Sequence, residues 1–94
     1  KLLWVMAPYT QQVYGQTIQR VFQEDCNEDE LVWHRDKMTR YVKIISGVDW
    51  KFQFDNDLPF VMKVGDKFKI EKETFHRIFR GNGRLILEIR ETNE

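Results

Sequence analysis

The sequence predicts an all-β domain of the jelly-roll or double-stranded barrel type, and three observations predict it. Short segments with period-two alternation of apolar and polar residues recur along the chain, turn-forming residues separate them, and helical periodicity is nearly absent. At 94 residues the chain has the size of one domain with a modest core, because a chain this short buries only about two thirds of its extended surface. A single domain over residues 1–94 is expected, without internal repeats or low-complexity tracts.

Taken in order, residues 2–6 (Leu-Leu-Trp-Val-Met) read as an apolar strand, too short to span a bilayer. An uncovered strand of that composition is an aggregation liability, so it is expected to be buried against a partner in a homodimer. Residues 7–12 separate it from the barrel. Residues 17–22 form the next strand, and the acidic residues 24–30 a solvated loop. A strand over residues 31–36 carries His34. Residues 41–46 run through Gly47 into residues 50–54, which reads as a hairpin with Trp50, Phe52 and Phe54 on one face. Asp55, Asn56, Asp57 and Pro59 break the pattern, and Gly65-Asp66 breaks it again before a strand at residues 67–70. After a turn at residues 71–74 comes a second histidine strand with His76. Gly81-Asn82-Gly83 permits positive backbone angles, and residues 84–90 close the fold as a buried strand. Eight or nine short strands suit a small jelly roll. Trp33, Trp50, Phe52, Phe54, Phe68 and Phe75 are expected to fill its interior, with Trp50 or Phe52 available to line a pocket.

Charge narrows the partners. Lys plus Arg and Asp plus Glu both number 15, and no long basic run offers a footprint for nucleic acid. Lys67, Lys69, Lys72, Arg77 and Arg80 read as outward-facing residues that keep the surface soluble. The lone Cys26 can form neither an internal disulfide nor a zinc ribbon, and a cytoplasmic setting is expected. Ser46, the only serine, has no evident base, which makes hydrolase chemistry the least favoured enzyme class. No membrane partner is expected.

The two histidines carry the functional signal. Alternation along a strand turns His34 and Asp36 the same way and Arg35 the other. If the His76 strand folds back alongside, two imidazoles and a carboxylate converge, the ligand set of a facial site that holds Fe(II) and leaves positions open. The His34-x-Asp36 spacing, a distal His76 and a later Arg84 or Arg90 are also similar to the pattern of 2-oxoglutarate oxygenases, although those enzymes normally use a longer chain.

In this arrangement the chain resembles the cupins, small double-stranded β-helix barrels. Their first motif runs from a histidine pair to a glutamate and then a turn glycine, and the corresponding residues here are His34-Arg35-Asp36, Arg40 and Gly47. Their second runs from a glycine, often followed by aspartate, to a third histidine. Gly65-Asp66 and His76 match it in spacing, with Glu71 and Glu73 where proline and glycine usually sit. The resemblance covers about residues 17–91. It implies a metal site in which His34 and His76 are kept, Asp36 stands at the second histidine position and Arg40 at the glutamate position.

A guanidinium has only donors and stays protonated, so Arg40 cannot ligate a cation. Two readings stay open. In one, His34, Asp36 and His76 hold Fe(II), Mn(II), Ni(II) or Zn(II), and Arg40 acts at the rim on a small acidic substrate or on Asp36, in an oxygenase or isomerase. In the other, an Arg40–Asp36 ion pair replaces the metal and leaves a non-catalytic barrel that binds a small polar molecule.

Overall fold

The structure, a computed structural model, describes residues 8–26 and 31–93. The apolar segment at residues 2–6, and with it the expected dimer contact, lies outside the described residues. The strands are β1 (Tyr9–Tyr14), β2 (Thr17–Phe22), β3 (Thr39–Val48), β4 (Lys51–Phe54), β5 (Phe60–Val61), β6 (Lys67–Ile70), β7 (His76–Phe79) and β8 (Asn82–Thr92). They form two antiparallel sheets, a five-stranded one in the order β1-β2-β8-β3-β6 and a three-stranded one in the order β5-β4-β7. No helix among the described residues is long and apolar enough to cross a membrane.

Alternation explains which faces meet. On β8, Leu85, Leu87 and Ile89 are buried between the sheets. Leu87 lies opposite Arg20 of β2 on one side and Ile44 of β3 on the other. From the smaller sheet, Phe52 packs its ring 4.8 Å from that of Phe68 and 4.9 Å from that of Phe54. Trp50, fully buried, donates its indole N–H to Gly83 O at 3.1 Å. Burying a large apolar side chain of this kind stabilises the fold by about 1.5–3 kcal/mol.

The expected hairpin between residues 41–46 and 50–54 does not form. Strand β3 pairs with β6 and β8, whereas β4 pairs with β5 and β7 in the other sheet. Register shifts after Ile44 and Ser46 bend the end of β3 away, and the chain crosses between sheets there. Gly47, at φ +152°, sits in this bend, where a Cβ would come within 2.8 Å of Leu85 Cδ1. Alternation had signalled two strands, but it carries no information about which sheet each joins. Further differences concern residues 7–12, expected as a separator yet largely part of β1, and the short β5. Trp33 and Phe75 are exposed rather than interior, with the guanidinium of Arg77 4.5 Å from the Trp33 ring and that of Arg35 5.3 Å from the Phe75 ring.

Gly81 is needed for close approach: a Cβ there would lie 2.3 Å from Val48 O and from Trp50 N, both backbone atoms. Gly81→Ala is therefore expected to cost about 3 kcal/mol or more, since neither neighbour can swing aside. Urea unfolding would show it as a lowered midpoint, and an unchanged midpoint would contradict this packing.

Candidate functional site

The two histidines meet across a single antiparallel bridge. The His34 N–H donates to His76 O at 3.0 Å, and the His76 N–H donates to His34 O at 2.9 Å. The expected strand over residues 31–36 is reduced to this one bridge, which suffices to set the imidazoles 4.3 Å apart, edge to face. His76 is 2% exposed and rests flat on the Phe52 ring at 5.4 Å, while His34 is exposed. Two residues beyond His34, Asp36 turns the same way, and its carbonyl accepts from the Glu73 N–H at 2.7 Å. Arg35 points away and pairs with Glu73 at 3.3 Å, as alternation requires.

One ligand atom from each of His34, Asp36 and His76 lies within 4.8 Å of the others. Each imidazole Nδ1 sits 2.9 Å from a carbonyl two residues back, Val32 O for His34 and Thr74 O for His76. A carbonyl only accepts, so each Nδ1 carries a proton, and in the neutral ring Nε2 then keeps its lone pair. Such a backbone contact is the usual way in which a metal-ligating histidine is oriented.

Asp36 Oδ2 is buried and has no hydrogen-bond partner. It lies 3.2 Å from Arg40 Nη1 and 3.4 Å from His76 Nε2, charge contacts without hydrogen-bond geometry. Arg40 is committed elsewhere as well, with Nε and Nη2 both on Glu91 Oε2 at 2.9 and 2.8 Å. Burial holds the His76 pKa below the ordinary imidazole value, outweighing the Thr74 carbonyl and the Asp36 charge. A neutral His76 thus turns a lone pair toward an anionic oxygen, an arrangement that a cation between them relieves. The 3.4 Å between His76 Nε2 and Asp36 Oδ2 suits a shared divalent ion: two ligands at about 2.1 Å from a tetrahedral ion stand about 3.4 Å apart.

These residues line a cavity of about 250 Å³ between the sheets, whose walls include Phe22, Val42, Phe52, Leu87 and Ile89. Phe52 lines it as expected, whereas Trp50 does not. Arg20, which sequence reasoning passed over, also lines it. The signal was available: Arg20 alternates with Ile18 and Phe22 on β2, which puts a cation on an inward face.

This architecture is the double-stranded β-helix, and the protein has the cupin fold. No protein-family model and no curated protein matches the chain. Solved structures do. An RmlC-like cupin from Shewanella frigidimarina aligns with TM-score 0.74 at 13% identity, over 96% of this chain and 80% of that one. KdgF from Halomonas sp. aligns with TM-score 0.74 at 10% identity, over 98% of this chain and 87% of that one. HppE in its iron(II) form aligns with TM-score 0.64 at 13% identity, over 89% of this chain but 48% of that one.

The lowered His76 pKa has a definite consequence for the metal-free protein. The unfolded chain takes up a proton below about pH 6.5, whereas folded His76 resists it, so this contribution is complete above that pH. It is lost as pH falls toward the folded-state value, by at most about 1.4 kcal/mol per pH unit. Urea unfolding in EDTA at pH 7.5 and 5.5 should show a larger acid loss in wild type than in His76→Gln; equal losses would contradict the burial argument.

Proposed function

We propose that this chain is a metal-binding cupin in which His34, Asp36 and His76 hold a divalent transition ion beside a cavity for a small polar or acidic molecule. The observation that carries the reading is the orientation of the two imidazoles, each anchored through Nδ1 so that Nε2 is free for a ligand, next to a buried Asp36 oxygen without a hydrogen bond. That HppE holds iron(II) in the same fold supports it. An ion held on one face by three protein ligands would supply Lewis acidity and open positions for substrate, the basis for oxygenation or isomerisation.

Within this reading Arg40 is a positioning residue. Its three nitrogens each lie against Asp36 or Glu91, so it fixes the position of the Asp36 carboxylate. Glu91 offsets the repulsion between Arg40 and an ion. Fe(II), Mn(II), Ni(II) and Zn(II) all suit two imidazoles and one carboxylate.

The 3.2 Å approach of Arg40 to Asp36 favours a second reading, in which the guanidinium itself neutralises the carboxylate and the cavity binds a ligand without a metal. Metal analysis of the purified protein, before and after incubation with Fe(II), Mn(II), Ni(II) and Zn(II), separates the two. Near-stoichiometric metal that disappears in both His34→Ala and His76→Ala is expected. Wild-type protein that takes up none of these ions would overturn the metal reading, and uptake only in Arg40→Glu would establish the ion pair as the replacement.

A further inference from the structure

The metal reading leaves one buried charge in the cavity unused. Arg20 is 8% exposed, on the inner face of β2 between Ile18 and Phe22. Its Nε and Nη2 donate to Gln11 Oε1 at 3.0 and 2.8 Å from directly opposite on β1, and its guanidinium carbon lies 3.9 Å from the Tyr9 ring centroid. Both partners are neutral. No carboxylate among the described residues lies within ion-pair distance of Arg20, and Nη1 has no acceptor among them. Burial lowers the pKa of the group, Tyr9 raises it, and with smaller effects Arg40 lowers it and Asp36 and Glu91 raise it, so Arg20 also feels the charges around the metal-ligand cluster. A guanidinium nevertheless stays protonated at neutral pH. A buried, permanent cation without a carboxylate at ion-pair distance is costly unless an anion joins it.

We propose that Arg20 is the anion receptor of this cavity, taking the oxyanion group of a small organic molecule whose body packs among Phe22, Val42, Phe52 and Leu87. The inference deepens the reading of the cavity as a ligand site beside the ion and rests on it for the ligand's remaining contacts, since His34, Asp36 and His76 line the same cavity. Gln11 and Tyr9 orient the guanidinium, leaving Nη1 to donate. A cavity of about 250 Å³ admits a ligand of only a few carbons, being smaller than the pockets of about 300–1,000 Å³ that hold drug-sized molecules. With a divalent ion bound, positive charge also exceeds that of Asp36 and Glu91, which further favours an anion.

Calorimetric titration of the EDTA-treated and Zn(II)-loaded protein with butanoate, propylphosphonate and butanamide tests this. Both samples should bind at least one of the anions about tenfold or more tightly than the amide, and the stronger of the two identifies a carboxylate or a phosphonate as the preferred group. Arg20→Gln should erase that preference, and Arg20→Lys should retain part of it. The acid-to-amide comparison in wild type needs no variant, so it decides even if Arg20→Gln fails to fold. Equal affinity for acid and amide, or no anion binding at about 10 mM, would overturn the proposal. Protein that prefers anions through Arg20 but takes no metal would sink the metal reading alone, and protein that takes metal without preferring anions would sink only the role of Arg20.

Discussion

A buried carboxylate must be matched by positive charge or by hydrogen bonds, and Asp36 has Arg40 at 3.2 Å on one side and the Nε2 of His76 at 3.4 Å on the other. The surrounding architecture follows from that requirement. The bridge between His34 and His76 brings the segment after the acidic loop against the smaller sheet, and Asp36 then falls between that sheet and β3. Arg40 reaches it from β3 while held by Glu91 of β8, so the carboxylate ties the two sheets together. Phe52, stacked beneath His76, keeps the imidazole dry and neutral. Each of these contacts narrows what can stand in front of Asp36 to a guanidinium, a proton or a metal ion.

The same geometry separates what holds the protein together from what is available to a ligand. Arg40 is held between two carboxylates, and His34 and His76 are each anchored through one nitrogen with the other left over. Arg20 is the mirror case, a cation steadied by an amide and an aromatic face, with no carboxylate among the described residues beside it. Four groups of similar chemistry therefore divide into supports and donors according to whether the fold has already satisfied them.

Much of this was legible from residue order. Alternation marked β2, β6 and β8, and the spacing of His34 and Asp36 placed both on one side, where the structure has them converge with His76. Sheet membership was hidden, because the crossing from β3 to β4 depends on the bulges near Ser46 and on Gly47, and alternation on either side looks like a hairpin. Strand β1 was obscured by its exposure, since most of its side chains face solvent and leave no apolar stripe to read. The part of Arg40 could be narrowed only once Glu91 was seen opposite it on β8, fifty-one residues away in sequence. Arg20 was overlooked because a cation on a strand is usually outward, although its alternation with Ile18 and Phe22 already placed it on the inward face where the structure buries it.

The central claim is that the imidazoles of His34 and His76, each anchored through Nδ1, present Nε2 beside the carboxylate of Asp36. Long-range proton–nitrogen NMR of the histidine rings at pH 7.5, in metal-free protein and after addition of Zn(II), tests it most directly. The account predicts a proton on Nδ1 and none on Nε2 in both rings, with both Nε2 signals shifting when zinc is added. An imidazolium at His76, or a proton on Nε2 of either ring that zinc does not displace, would contradict it.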